Sequence, residues 1–417
     1  MTKISCGIDF GTSNSSVAVA DHDVALVPVE NNSVTIPSAL FFIPRVAQPL
    51  LGRAAVDHFF TRAEGRFMRS LKRVLGTSLM KNGTLVNGRL MKFDDIIASF
   101  LKNLKDKTNA FAQTEIENVV MGRPVHFVDN DLEADKRAQA ELKVIAGKIG
   151  FKHIDFQFEP IAAAFAHEVN ITGEKLAIVA DLGGGTSDFT VIKLSNKFIN
   201  KADRSADILA NTGVRVGGND FDKDLSLTAI MPELGYRSLY GSKKLEVPLK
   251  YFHDLAEWSK VNFLYTPKNI IQVRQFIHES HDKKRLGRLL TILEKEIGHS
   301  VLAAAEEAKI ALTTEDLYNA PLNFLENGYA IPIYRNLFEE SIRNEVDKIS
   351  ASATQCIQLA GIVNDDIELV ILTGGSTEVP LIQAEFKKLF PKAAIADENK
   401  LSSVGLGLAY DSQNKFR

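Results

Sequence analysis

The sequence has 417 residues, 45% hydrophobic and 24% charged, with a formal net charge of -3. That length exceeds one ordinary core, so two large lobes are expected, and with this weak negative charge nothing suggests a polyanion partner such as bulk nucleic acid. The two cysteines, Cys6 and Cys356, make neither a disulfide framework nor a metal site and point to a reducing compartment.

In chain order, MTKISCGIDFGTSNSSVAVA alternates apolar with small polar residues, which reads as a strand and not as a signal peptide. Residues 3–10 form the strand, Gly11–Ser16 a turn, and Val17–Ala20 the returning strand. DVALVPVE and ALFFIP continue the strand pattern. Helical spacing covers 53–80 and 94–112, the second with Ile96, Ile97, Phe100, Leu101 and Leu104 on one face. A buried strand ends at Pro124, an amphipathic helix closes at Gly150, and a short strand leads into a helix with Pro160 near its start. Residues 171–176 read as a crossover between lobes. TGVRVGGNDFDKDLSLTAI is a turn feeding a helix. The stretch 225–300 is less regular, with helical pieces, basic clusters and the single tryptophan, Trp258. SVLAAAEEAKIALTT is a strong helix, IELVILTGGSTEVPLIQAEFKKLF a strand, glycine turn and helix, and SSVGLGLAY starts the last helix. No apolar run reaches the length of a membrane span, so the expected setting is soluble and cytoplasmic.

One motif occurs twice. IDFGTSNSSVAV from Ile8 and ADLGGGTSDFTVI from Ala180 each place Asp-x-Gly after an apolar strand, then small polar residues, then a second strand. Two related lobes, each offering one hairpin turn to a shared cleft, would produce this. A phosphate chain needs backbone N–H donors and close main-chain approach, which glycine permits. Gly11, Thr12 and Ser13 could hold one side of it, and Gly183, Gly184, Gly185 and Thr186 the other. Asp9 and Asp181 end the first strand of each hairpin and would orient a hydrated Mg2+, a hard cation that keeps several waters. Asx-type turn caps explain either hairpin alone, but not the pair. Asp188 is expected to fix its turn. A third glycine turn, Thr373–Ser376, follows another apolar strand and suits close approach of a ligand to the backbone.

These motifs in this order resemble the seventy-kilodalton heat-shock chaperone family, within the actin, sugar-kinase and chaperone ATPase superfamily. GIDFGTSNSSVAV is similar to its first phosphate motif, LKRVLG at 71–76 to its catalytic-lysine segment, and FEPIAAAFAHE at 158–168 to its inter-lobe connection. DLGGGTSDFTVI resembles its second phosphate motif and VGGNDFD, with Gly217 and Gly218, the turn after it. AEEAKIAL and ILTGGSTEVPLIQ resemble the two adenosine motifs. The likeness spans nearly the whole chain, and a short bacterial subgroup with the ATPase part only is the nearest in pattern.

The resemblance implies an α/β, two-lobed, actin-like ATPase fold with a nucleotide cleft between lobes, each lobe subdivided. Lobe I would cover 1–172 with a peripheral subdomain at 37–118. Lobe II would cover 173–396 with an enlarged subdomain at 225–311, and 397–417 would be a C-terminal helix returning to lobe I. It implies ATP or ADP with Mg2+ as ligands, slow hydrolysis with lobe closure on ATP, and a protein co-factor or client as partner, with no nucleic acid or membrane. Carried over, Lys72 would orient the attacking water, Asp9 and Asp181 hold the hydrated metal, and Thr12, Ser13 and Thr186 contact phosphates. Glu159 would sit near the metal's water shell and relay the nucleotide state with Pro124. Glu306, Lys309 and Thr313 would meet ribose and adenine, and Gly374, Gly375, Ser376 and Glu378 would line the adenosine side. On residue type alone, Lys72 equally suits a solvated helix face, Glu159 a helix N-terminus, and Glu306 with Lys309 a surface pair.

Departures from the family pattern are specific. Ile310 and Glu378 stand where the family has arginines on both faces of the adenine, which removes that cation–π stack. Asn219 replaces a usual Glu, and Asn399 a usual Asp. The stretch from Asp222 to Glu306 is longer than the family norm. No linker, β-sandwich or helical lid follows in the sequence, so no peptide clamp is expected within it. Two other readings remain beside a weak or partner-stimulated ATPase: a nucleotide-sensing pseudo-ATPase, motivated by the lost arginines, and a small-molecule kinase, for which Asp188 and Asp220 are unassigned carboxylates. Filament formation is a weaker fourth.

Overall fold

The computed structural model describes residues 4–60, 64–128, 131–169, 171–199, 201, 204–396 and 402–416; Asn399 lies outside them. The chain forms two compact units, one of 1–217, 348–377 and 382–417, the other of 218–347 with 378–381.

The first unit opens with β1 (Ser5–Asp9), β2 (Asn14–Ala20) and β3 (Val24–Leu26), followed by β4 (Thr35–Pro37), β5 (Ala39–Phe42), β6 (Leu50–Leu51) and α1 (Gly52–Phe60). Next come β7 (Arg66–Arg69), α2 (Leu79–Asn82), β8 (Thr84–Val86), β9 (Arg89–Met91) and α3 (Phe93–Ala112). The return strand therefore starts at Asn14, and the expected helix over 53–80 is corrected: α1 ends at Phe60, a strand interrupts the pattern at Arg66–Arg69, and only short helical turns follow. Phe67, Met68, Leu71, Val74 and Leu75 have helical spacing, but Arg66–Arg69 pairs antiparallel with β5, Phe41 opposite Phe67. Strand pairing overrides the local pattern there. A left-handed Ser70 (φ 58°) then turns the chain into a single 3-10 turn at Leu71–Val74. By contrast α3 forms as expected, with Ile96, Ile97, Phe100, Leu101 and Leu104 all buried.

The chain continues through β10 (Asn118–Arg123), α4 (Leu132–Lys148), β11 (His153–Phe158), α5 (Glu159–Glu168), β12 (Glu174–Leu182), β13 (Ser187–Ser195) and β14 (Ile208–Val214). The proposed crossover at 171–176 is thus partly strand, because β12 already starts at Glu174. Asp131 starts α4 by accepting the Ala134 amide at 2.9 Å, and Gly150 at φ +97° follows its end.

The second unit carries α6 (Gly218–Leu225), β15 (Leu239–Tyr240), β16 (Leu245–Glu246), α7 (Lys250–Leu255), α8 (Pro267–Glu279), α9 (Lys283–Glu294), α10 (Gly298–Ala311), β17 (Leu317–Pro321), β18 (Ala330–Tyr334) and α11 (Arg335–Ser341). Its core forms where α8 packs on α9 and α10 on α6. α12 (Arg343–Leu359) leads back to the first unit, which ends with β19 (Leu369–Thr373), α13 (Pro380–Leu389), β20 (Ala394–Ala396) and α14 (Ser403–Lys415). Among the described residues no helix is long and apolar enough to cross a membrane.

The first unit contains the same architecture twice. One sheet has the strand order β11-β10-β1-β2-β3 and the other β20-β19-β12-β13-β14. In each, an antiparallel hairpin leads into a third antiparallel strand, and two parallel strands extend the other side. Helices follow in the same places: α3, α4 and α5 in the first copy, α12, α13 and α14 in the second. The terminal helices are exchanged. α5 packs on β12 and β13 of the second sheet, α14 on β1 and β2 of the first, and the two helices pack on each other. Their backbones nearly touch: a Cβ on Gly407 would stand 1.6 Å from the Ala162 carbonyl oxygen. Only glycine fits there. Ile161, Ala162, Ala163, Ala164, Val404 and Leu408 fill the joint together with Val179, Ile192 and Ile371 from the second sheet.

Candidate functional site

The duplication places Asp9 at the end of β1 and Asp181 next to the end of β12. Asp9 pairs across its hairpin with Ser16, and Asp181 with Asp188. The first loop, Gly11–Ser13, is braced from outside. The Ser38 hydroxyl donates to the Gly11 carbonyl at 2.8 Å, and the Ser38 amide donates to the Ser13 carbonyl at 2.8 Å. The second loop closes on itself, with the Gly183 amide donating to the Thr186 carbonyl at 2.9 Å. The third glycine turn holds it: the Ser376 hydroxyl donates to the Gly183 carbonyl at 2.9 Å. Gly374, at φ +85°, lies so close that a Cβ would meet the Leu182 carbonyl oxygen at 2.3 Å. Gly217 seals the opposite side, where a Cβ would lie 2.6 Å from the Gly185 nitrogen. The two hairpin loops also meet, since a Cβ on Gly185 would lie 3.2 Å from Thr12 Oγ1.

Lys72 is no solvated helix residue. It sits in the 3-10 turn, 7% exposed, and its ammonium donates to Glu159 Oε1 at 2.5 Å. Glu159 is the first residue of α5 and is 5% exposed. Burial alone would lower the proton affinity of Lys72, but Glu159, Asp9 and Asp181 outweigh it and hold the ammonium above the ordinary lysine range. The carboxylates are crowded in the opposite sense. Burial first, then Glu159 and Asp181, push the Asp9 carboxyl well up against the pull of Lys72. Burial first, then Glu159 and Asp188, do the same to Asp181. Several acids around one buried ammonium form a site short of positive charge.

Asp188 does more than fix its own turn. Its Oδ1 accepts the Val125 amide at 2.8 Å, which ties β13 to the segment just after Pro124, and it also accepts from the Thr186 hydroxyl. Burial, with Glu159 adding to it, pushes this carboxyl up to about 7 despite those two donors. On the other face of the same segment, Arg123 is stacked between Phe127 and Phe158 and bonded to Asp135 at 2.8 Å. Phe158 directly precedes Glu159, so this fastener borders the Lys72 pair.

Beside Lys72 opens a small cleft lined by Thr12, Arg73, Pro124, Phe127, Gly185, Thr186 and Arg215. Sequence reasoning missed Arg73 and Arg215. Arg73 directly follows Lys72 in LKRVLG, and Arg215 stands one residue before the VGGNDFD motif. Three cations, two hydroxyls and exposed loop amides suit an anion. The neighbouring oxygen-only donor set, Asp9 and Asp181, suits a hard divalent cation. Among the described residues no cluster of three or more His, Cys, Asp or Glu forms a metal cage, and two carboxylates acting through water need none.

The remaining expected residues, Gly218, Glu306, Lys309, Thr313 and Glu378, belong to the other unit. There the Lys309 ammonium pairs with Asp222 at 2.8 Å and reaches the Gly218 carbonyl at 3.3 Å, fixing α10 to α6. The Thr313 hydroxyl donates to the Ile310 carbonyl at 2.7 Å. Ile310 is 58% exposed.

Comparison with known proteins adds to this geometry. The family described as Hsp70 protein matches residues 5–260 and 272–413. The chain is 28% identical over 414 residues to proteins named chaperone protein DnaK from Thermotoga petrophila, Thermotoga maritima and Thermotoga neapolitana, covering 97% of the chain. It spans 58% of the length of these relatives.

Proposed function

The chain belongs to the Hsp70 protein family, with the actin-like α/β fold of that family, and from this premise we propose that it binds Mg2+–ATP and hydrolyses it slowly. The observation that carries the reading is the Lys72–Glu159 pair, buried beside Asp9 and Asp181 and opening on a cationic, hydroxyl-lined cavity. Such a site accepts a polyphosphate and places a permanent ammonium where charge develops during phosphoryl transfer.

In this reading the loops Gly11–Ser13 and Gly183–Thr186 hold the phosphates, the second through amides other than that of Gly183, which bonds the Thr186 carbonyl. Asp9 and Asp181 would hold Mg2+ through water, and the ion when bound would supply charge neutralisation at the phosphates. The Lys72 ammonium orients the attacking water, and Glu159 keeps it in place. Thr186 positions water beside it. Gly217, Gly374, Gly375 and Ser376 shape the adenosine side of the first unit; Glu306, Lys309, Thr313 and Glu378, in the other unit, are assigned to the nucleotide by the resemblance alone. Closure of the two duplicated hairpins on ATP, and opening after hydrolysis, would give a chaperone-like cycle acting with a protein co-factor or client. Two buried free thiols, Cys6 and Cys356, agree with a reducing setting, and we place the protein in the cytoplasm.

The test is calorimetric binding of Mg2+–ATP together with single-turnover hydrolysis by the wild type and Lys72→Met. Binding retained with turnover reduced a hundredfold or more in the variant supports the assignment. Binding without wild-type turnover replaces it with a nucleotide sensor, and no binding by the wild type refutes it.

A further inference from the structure

We infer that Arg123 is a positioning residue for this site: through the segment it braces, it sets the place of Glu159 and so of the Lys72 ammonium. The inference rests on the nucleotide-binding reading above and deepens it with a residue that no sequence motif singled out.

β10 ends at Arg123, and residues 124–127 belong to no strand or helix. Backbone groups there need partners other than a ladder. Arg123 supplies several of them. Its Nε donates to the Pro124 carbonyl at 3.0 Å, and its Nη2 to the Val125 carbonyl at 3.0 Å and to Asp135 Oδ2 at 2.8 Å. Its Nη1 donates to Gln139 Oε1 at 2.5 Å. Asp135 Oδ1 in turn accepts the Phe127 amide at 2.6 Å. The guanidinium lies 5.3 Å from the Phe127 ring centre and 5.0 Å from that of Phe158, and the side chain is 13% exposed. One planar fork thus ties the segment to α4 and to the end of β11, where Phe158 is the register partner of Arg123.

The braced segment meets the site at several points. Gly122 packs against Glu159: a Cβ there would stand 3.2 Å from Glu159 Cγ and 3.4 Å from Oε1, the oxygen that accepts from Lys72. Phe158, held against the guanidinium, directly precedes Glu159. The Val125 amide donates to Asp188 at 2.8 Å, and Pro124 and Phe127 line the cleft beside Lys72. Glu159 is therefore located twice by the same guanidinium, once through the end of β10 and once through its own chain neighbour. Without the fork the Pro124 and Val125 carbonyls lose their donor, and the wall that seats Glu159 loosens. Misplacing a reacting group by about 1 Å can cost a rate about a hundredfold, so a smaller displacement of Glu159 and Lys72 is enough to show.

The experiment measures Mg2+–ATP affinity and single-turnover hydrolysis for the wild type, Arg123→Met, Arg123→Lys and Glu159→Gln, and for each Arg123 variant combined with E159Q. Met keeps an apolar stem between the two rings and removes every donor. For R123M, hydrolysis should slow by about tenfold or more with ATP affinity within about threefold, since geometry is lost and binding is not. R123K should recover part of the rate, because it keeps the charge between the rings without the fork, and it carries the test if R123M does not fold. The decisive reading is the combination: in the E159Q background the Arg123 change should slow hydrolysis by no more than about twofold, because Arg123 acts through Glu159. Effects that multiply in the combined variant, or an unchanged rate in R123M, overturn the inference. A second readout needs no nucleotide. Urea midpoints for the Lys72→Met and Glu159→Gln cycle, measured with and without the Arg123 change, should show the Lys72–Glu159 coupling cut by about half or more. An undiminished coupling overturns the positioning role. A wild type that binds no nucleotide removes the underlying reading itself, an outcome the urea cycle keeps separate from the failure of this one.

Discussion

Removing the Lys72 ammonium should cost more stability than neutralising its partner. The two side chains are each 7% exposed and meet at 2.5 Å. Taking one partner from a buried pair leaves an uncompensated charge and costs about 3–5 kcal/mol. The structure makes the two losses unequal. Lys72 is held by Glu159, Asp9 and Asp181 together, so in Glu159→Gln it keeps two counter-charges, and a loss of about 1–3 kcal/mol is expected. In Lys72→Met, Glu159, Asp9 and Asp181 are left facing one another, and the loss should reach the full 3–5 kcal/mol range. The double variant should lie well below the sum, with a coupling of about 2 kcal/mol. The raised lysine keeps its contribution through the neutral range: it is fully present below the unfolded lysine value of about 10.4 and lost only as pH rises through the higher folded one. Urea unfolding in Mg2+-free buffer at neutral pH, followed by far-ultraviolet circular dichroism, measures the cycle. The single tryptophan, Trp258, lies in the other unit and would report on the wrong region. A coupling under about 0.5 kcal/mol, or an E159Q loss larger than that of K72M, would refute the charge reasoning.

Asp181→Asn should raise the unfolding temperature of the nucleotide-free protein at pH 7.5 while weakening Mg2+–ATP. Burial and the neighbouring Glu159 and Asp188 hold the folded carboxyl above its usual value, so its contribution is present below the unfolded value near 3.9 and lost as pH rises through the folded one; a variant less stable than wild type at pH 7.5 would contradict this. Gly407→Ala should lose about 3 kcal/mol or more, since its Cβ would lie 1.6 Å from the Ala162 oxygen, and an unchanged urea midpoint would disprove the close α5–α14 crossing. Ile310→Arg and Glu378→Arg should each strengthen ATP binding by about 0.5–2 kcal/mol if these positions flank adenine; fluorescence titration with no gain from either removes that mapping.

Local chemistry explains what could be read in the sequence. Asp9 and Asp181 with their glycine loops were visible because a turn's backbone demands specific residues within a few positions. The helix at Phe93–Ala112 was visible because its buried face repeats at helical spacing. Lys72 was legible only through resemblance, as nothing local shows that Arg66–Arg69 becomes a strand or that Ser70 turns left-handed and drives the next residue inward. Asp188 looked like a turn residue because its partner, Val125, lies 63 positions away. Arg73 and Arg215 gave no signal, since lining a cavity leaves no periodicity. The duplication was visible in its hairpins alone; its remaining strands and helices match in connection order, which depends on burial pattern and not on residue identity.

The helix exchange bears on how such a site could transmit its state. Glu159 begins α5 and is bonded to Lys72, so the first turn of that helix is fixed by the charge at the site. The body of α5 lies on β12 and β13, the strands of the second hairpin, and crosses α14 at Gly407. α14 in turn lies on β1 and β2, the strands of the first. At the far end of α5, Glu168 accepts two bonds from Arg204, at 2.6 and 2.8 Å, and the Ser195 amide at 3.0 Å, so that end is fastened to the exit of β13. Neither hairpin can shift without moving a helix that belongs to the other copy. At Gly407 the crossing brings backbone against backbone, so a shift would pass through that point as a rigid rotation or slide. In the proposed cycle, where the two phosphate loops approach and separate, this exchange would link them directly, and Glu159 would be the point at which ligand charge enters.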